Sequence, residues 1–386
     1  MILQVAEYQT FIVLHDMKIA VRTLGIFSIA FLCPTFAETV DTTTIKEIWE
    51  STVLYNNPSE NELKKFAITG RLHGDYENFG ESDQGSINGF SWRRFRTGFK
   101  ASLFGNLNVK AEADLNLNKP EPLYNRLTDA HISGTFGDGL KIIVGKQAAS
   151  FTLDGSTSSN KLIAIERGKI ADNLWFSKRF FSGVTISGKH GRWEYLSGWF
   201  SGDGGPEFND VFSTGHFTLL SMGYNLSERF GMDKALIRFD FVKQDEDPSN
   251  ATSKNKNVIS LVSKLEKNKR HLWTDLTVGD GYAGQPDLFG LQFMPFYDLT
   301  DKTQAVLRYT HLKSSGGNPI RLGKYEKSLV SGKGNKASEY YCGINHYFYG
   351  HKLKWQNGIQ YTEMKASGSG SSYKGWGFTS AVRISW

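Results

Sequence analysis

Along most of the chain, apolar and polar residues alternate with a period of two. From Gly375 to Trp386, Trp376, Phe378, Val382, Ile384 and Trp386 fall on one parity with Ser380. Gly377, Thr379, Ala381, Arg383 and Ser385 fall on the other. A strand sends successive side chains to opposite faces, so this segment predicts a strand with one apolar face and one small or charged face. Comparable runs recur from about Lys65 onward. They lie at 65–79, 90–104, 106–117, 127–136, 139–147, 182–190, 192–201, 214–227, 234–244, 256–266, 269–279, 286–298, 302–313, 336–349, 351–363 and 374–386, sixteen in all.

The connectors alternate between tight and long. Tight ones include Gly105, Gly137–Gly139, His190–Gly191 and Gly350–His351; the longest are 148–181 and 314–335. Short turns on one rim, long loops on the other and both ends of the barrel at the short rim predict an all-β fold. Its form is a 16-stranded antiparallel transmembrane β-barrel with short periplasmic turns and long extracellular loops. A propeller would show a repeat of about 40 residues, and none is visible. Outer-membrane barrels resemble this chain in ending on an aromatic residue, which the barrel-assembly machinery reads.

Ahead of the barrel, Met17 and Lys18 open a basic stretch with Arg22, followed by an apolar run from Leu24 to Leu32 and small or neutral residues up to Ala37. This predicts a signal peptide at 17–37, with 1–16 an upstream extension. The run is shorter than the ~18 apolar residues a membrane anchor needs. Residues 38–64 are read as a periplasmic segment with a short amphipathic helix between Ile45 and Tyr55, or else a flexible leader. Cleavage after Ala37 would remove Cys33 and leave Cys342 as the single cysteine, which rules out an intrachain disulfide.

Composition fits the barrel. The chain has 39% apolar residues, 40 glycines and only 9 prolines, which suits many short strands facing lipid better than one large buried core. Net charge is +6, a mild excess whose placement matters more than its size. No nucleic-acid-binding motif is present.

Charge falls on one parity. Arg94, Arg96 and Lys100 alternate with Phe95, Thr97 and Phe99; Arg71, His73 and Asp75 oppose Ile68 and Leu72. Lys110, Glu112 and Asp114 oppose Val109, Ala111 and Ala113, and Arg238 and Asp240 oppose Ile237 and Phe239. Lys354 and Arg383 sit in the polar sets of the last two runs. A charge facing lipid at mid-bilayer costs ~2–4 kcal/mol, so the polar parity is predicted to face a water-filled lumen. A row of cations there favours anions. The alternative is a balanced lumen, its arginines paired with Asp75, Glu112, Asp114 and Asp240 and stiffening the wall.

The 148–181 connector is too long for a simple turn, and its centre from Leu162 to Lys169 is apolar enough to pack. Folded into the lumen it would narrow the pore and bring Glu166, Arg167, Lys169, Lys178 and Arg179 close to the opposite wall. The alternative is an external loop making subunit or surface contacts.

Several stretches resemble the phosphate-selective porin O and P family. They are Phe66–Tyr76, Trp92–Lys100 with its paired arginines, Ile143–Gln147, Ser158–Asn160 followed by Ile165–Arg167, Gly188–Gly202, and the tail from Tyr340 through Gln356 to Thr362. The resemblance covers roughly 65–386. It implies a homotrimeric outer-membrane porin with an inward third loop and a basic ladder leading to an anion-binding constriction. Arg93, Arg94 and Arg96 match the ladder strand, and Glu166 and Arg167 match the acidic–basic pair of the constriction loop.

Nine histidines occur without the spacing of a catalytic metal site, and no nucleophile motif is present. The expectation is a non-enzymatic porin without cofactors, conducting small hydrophilic solutes, anions such as phosphate in particular. The alternatives are a general or sugar-conducting porin, and a closed barrel with an enzymatic or receptor role.

Overall fold

The computed structural model describes residues 42–81, 85–176, 179–208 and 211–386. The expected signal peptide and Lys178 lie outside the described residues. The chain divides into one unit that ends at Ile48 and another from Trp49 to Trp386.

Sixteen strands form the second unit's wall: β1 (Leu63–Glu81), β2 (Gly85–Leu103), β3 (Leu107–Leu115), β4 (Tyr124–Phe136), β5 (Leu140–Ala148), β6 (Phe180–His190), β7 (Trp193–Ser201) and β8 (His216–Asn225). The circuit continues with β9 (Lys234–Gln244), β10 (Asn255–Lys267), β11 (Arg270–Gly281), β12 (Leu288–Asp298), β13 (Thr303–Ser314), β14 (Lys336–Tyr349), β15 (Leu353–Lys365) and β16 (Tyr373–Ser385). Each pairs antiparallel with the next, and β16 returns to β1 in a register from Gly375↔Glu81 to Ser385↔Arg71. A closed barrel leaves no edge strand, which is what a chain crossing lipid by strands requires.

The alternation sorts as the sequence predicts. Leu307, Tyr340 and Trp376 are more than half exposed on the outer face, while Ala381 and Arg383 are buried inside. Tyr309, Tyr340, Tyr361 and Trp376 are register partners across β13–β16, with successive ring centroids 5.0, 6.3 and 4.9 Å apart. Such a row is the aromatic girdle of a membrane barrel.

Two local features depart from the sequence expectation. The helix spans Thr42–Glu50 and does not continue to Tyr55, because Val53–Asn56 is a strand. The last β16 pair stops at Arg71, so the lower end of β1 would be an open edge; Val53–Asn56 pairs with Ala67, Phe66 and Lys65, and Trp386 exchanges two 3.1 Å backbone bonds with Gly70. The second departure is a bulge. His73 pairs with Arg94 but Gly74 pairs with Trp92, leaving Arg93 as an extra residue in β2. Strict alternation would aim Arg93 at lipid; the bulge turns it inward beside Arg94.

Candidate functional site

The described residues of the connector between β5 and β6, 149–176, run inside the barrel and are pinned by strand side chains around the circuit. Asp240 on β9 accepts from the Thr152 N–H at 2.9 Å, and Asp275 on β11 from the Leu153 N–H at 2.7 Å. Across the lumen, Lys354 on β15 donates to the Leu162 carbonyl at 2.7 Å, and Asn345 and Gln356 donate to that of Ile163. Arg308 on β13 donates to the Glu166 carbonyl at 2.7 Å. A loop inside a barrel must satisfy its backbone groups, and the polar parity of the wall supplies the partners.

Apolar packing fixes the same loop. Phe151, Trp175 and Phe176 dock on Phe181, Phe200 and Phe217, all fully or almost fully buried on the inner wall, with Phe176 and Phe217 edge-to-face at 4.8 Å. Leu153, Ile163 and Ile165 pack on Val262, Met294 and Val306 on the opposite side. The expectation that the whole inner parity faces water is therefore corrected. On β6–β13 much of it is dry, because burying these residues against the loop gains more than hydrating them.

The predicted cations divide by partner. Arg71 grips Glu112 at 3.0 Å and reaches loop residue Ser159 at 2.9 Å. Arg96 pairs with Asp114 at 3.2 Å and lies over the Phe180 ring, Arg238 pairs with Asp240 at 2.8 Å, and Arg383 pairs with Asp75. These pairs hold the wall and loop in register. Lys354, also placed in the solute path by the sequence, is fully buried under the loop. Lys100 is exposed toward the short-turn rim, with no ion pair among the described residues.

At the loop's inner bend, Arg93 and Arg94 converge on Glu166. Arg93 makes a two-pronged contact at 2.7 and 2.9 Å, and Arg94 approaches at 3.4 Å. Burial alone would raise the Glu166 carboxyl, but Arg93 and then Arg94 outweigh it and hold it well below the usual carboxylate range. Arg167, expected near the opposite wall, instead folds onto its own loop, donating to the Asp154 carbonyl at 2.8 Å and the Thr157 carbonyl at 2.7 Å; neighbouring backbone acceptors outcompete a distant wall. Lys169, in the short helix Lys169–Asn173, lies between Glu326 at 2.7 Å and Glu339 at 3.2 Å. Arg179 stacks over Trp175 and stands 3.9 Å from Asp172, whose carboxyl burial pushes up to about 6 against the pull of Lys169 and Arg179.

Above this bend lies a cavity of about 220 Å³, enclosed by the inner loop and by the 315–335 connector between β13 and β14. Eight lysines and arginines line it against four carboxylates. Two further cavities, about 530 and 400 Å³, lie between the loop and the short-turn rim. The sequence reading missed Arg308, Glu339 and the 315–335 residues Arg321, Lys324, Tyr325 and Glu326. Arg308 and Glu339 were available as inner-parity charges of their strands, whereas the connector carries no periodicity to reveal that it folds inward.

Comparison with known proteins accords with this architecture. Residues 66–244 match the family model of phosphate-selective porin O and P, a span that holds the Arg93–Arg94 bulge and the whole inner loop. No curated protein sequence matches. Among solved structures, Pseudomonas putida OprB superposes with a TM-score of 0.59 at 11% identity, over 83% of this chain and 94% of that one. The anion-selective porin from Comamonas acidovorans gives 0.55 at 13% identity, over 83% and 98%. The trimer form of Vibrio cholerae OmpT gives 0.51 at 14%, over 83% and 99%. These likenesses carry the fold. With the closed sixteen-strand wall, the inward loop and the match over 66–244, the chain is an outer-membrane porin barrel that is similar over that span to the phosphate-selective porin O and P family.

Proposed function

We propose that this porin works as a homotrimer that passes small hydrophilic solutes by diffusion and prefers anions, phosphate among them. The carrying observation is the 220 Å³ cavity at the inner loop, lined by twice as many cations as carboxylates. In a narrow, partly desolvated passage an unbalanced lining counts for more than the same charges in a wide mouth. In this reading Arg93, Arg94, Arg167, Lys169, Lys178 and Arg179 set the potential at the constriction, and Arg71, Arg96, Lys100, Arg238, Lys354 and Arg383 shape the wall around it. No chemical turnover is involved.

A second reading rests on the ion pairs. Arg71, Arg96, Arg238 and Arg383 each face a carboxylate, which favours a general porin with a neutral wall. Reversal potential separates the two. Purified protein in a planar bilayer under a KCl gradient, with and without millimolar phosphate, should show anion selectivity and a chloride current reduced by phosphate. Open channels with no selectivity would leave the general porin, and folded protein without channels would return the closed barrel.

A further inference from the structure

Most cations lining the 220 Å³ cavity are already committed. Lys169 sits between two carboxylates, Arg308 is on Glu339 at 2.8 Å, Arg93 is on Glu166, and Arg167 is spent on carbonyls. Arg321, Lys324 and Lys327 differ. All three belong to the 315–335 connector, all line the cavity, and none has a carboxylate within 4 Å among the described residues. Among the described residues, the Lys324 ammonium meets the Ser91 hydroxyl at 3.2 Å and the Tyr325 ring at 4.6 Å. An uncommitted cation offers its full charge to a passing anion, and an arginine adds a two-pronged donor fork.

The connector is also fixed in place. Glu326 is buried and accepts from Lys169 at 2.7 Å, Gln360 at 2.7 Å and Thr362 at 2.8 Å. The Tyr325 hydroxyl donates to Asp75, and its ring packs on Phe79 at 5.2 Å. Asn173 of the inner loop ties the Arg321 backbone in both directions, to its N–H at 2.8 Å and its carbonyl at 3.2 Å. Beneath these bonds Ile320, Leu322 and Val330 share a buried cluster with Ile170 and Leu174. Gly323 is packed so closely that a Cβ there would fall 2.5 Å from the Glu326 carboxylate and 2.8 Å from the Lys169 ammonium. A segment held by a buried carboxylate and an apolar cluster is built to present its side chains in one place.

We infer that the solute seat is completed by the 315–335 connector, with Arg321 and Lys324 as specificity-determining cations and Glu326 as the positioning residue that holds them over it. The inference rests on the anion-conducting reading above and adds to it a second wall, on the extracellular side, that an anion from outside meets before the inner loop.

The experiment uses the full folded barrel in planar bilayers, with inorganic phosphate as the probe. R321Q/K324Q should weaken phosphate block of the chloride current by at least about tenfold and move the reversal potential toward the cation side. R321K/K324R should retain both properties. Glu326→Ala gives the sharper sign. Charge alone says that losing a carboxylate strengthens the block; a positioning role says that the block weakens, and Glu326→Asp restores it. If wild type lacks anion preference, the underlying reading fails. If wild type prefers anions while R321Q/K324Q behaves identically, or if Glu326→Ala strengthens the block, the inference about the connector fails alone.

Discussion

Glu166→Gln perturbs the point where Arg93 and Arg94 meet the inner loop, and its effect can be worked from the structure. The change removes one negative charge and keeps the side chain's shape, so an acceptor remains for Arg93. The loop stays held by Arg308 on the Glu166 carbonyl and by Lys354, Asn345 and Gln356 on Leu162 and Ile163. For an anion about 8 Å away, the lost repulsion is about 2 kcal/mol at an effective dielectric of about 20. Screening at 0.1 M salt, with a Debye length of about 10 Å, leaves about 1 kcal/mol. That corresponds to about a fivefold gain in anion occupancy of the constriction. The assay is reversal potential in a KCl gradient, alongside single-channel conductance as a check on the loop. The variant should become more anion-selective with similar conductance. A reversal potential that stays put, or moves toward cations, in a channel of unchanged conductance would show that this carboxylate does not face the conducting path.

Phe217→Ala removes a fully buried ring that stacks on Phe200 at 4.8 Å and meets Phe176 and Phe181 edge-on. It should cost about 3–5 kcal/mol of loop docking and expose 149–179 to limited proteolysis, and unchanged protection would refute the apolar anchoring. Gly70→Val would drive its Cβ into the Trp386 ring at 2.5 Å and the Arg96 carbonyl at 2.6 Å, so the folded band on an unheated SDS gel should be lost or strongly reduced. Asp172, with its carboxyl pushed up to about 6, should take a proton between pH 7 and 5 and leave the cavity more positive. Anion preference should rise across that window with a midpoint near 6, and D172N should flatten the profile. The sign for stability is the same: a folded pKa raised above the unfolded value means this carboxylate costs stability at high pH, and the cost fades as pH falls through 6. Glu166 is the opposite case. Its depressed pKa makes the clamp contribute above the ordinary carboxylate range, and the contribution is lost only in stronger acid.

The strand plan was legible because lipid imposes it. A residue such as Trp376 or Leu307 must be apolar on one parity while Arg383 or Arg308 is free to be polar on the other, and no tertiary contact overrides that cost. Strand ends were legible to within a few residues for the same reason. What the alternation cannot tell is what covers the inner face. Phe181, Phe200 and Phe217 sit on the lumen side as naturally as Arg94 does, and only the path of the inner loop decides that they are dry. Arg93 was out of reach of parity because a bulge is a local change of count. The 315–335 connector was out of reach because Arg321, Lys324 and Glu326 act through partners far along the chain, on β15 and on the inner loop. Lys354 and Arg238 show the remaining ambiguity: an inward cation reads the same in sequence whether it meets a solute or a carbonyl.

The bulge at Arg93 also makes the constriction a hot spot for change by length. Because His73 pairs with Arg94 and Gly74 with Trp92, losing this one residue would restore regular pairing between β1 and β2 at this point and leave Phe90 and Trp92 on the lipid face. A three-nucleotide deletion could thus remove a cation from the cavity at the inner loop without disturbing the membrane surface. Point substitution must keep or replace a side chain there; an in-frame loss erases the position. Selectivity in such barrels can evolve by single-residue gain and loss at a tolerated irregularity, while the rest of the wall stays locked by its register.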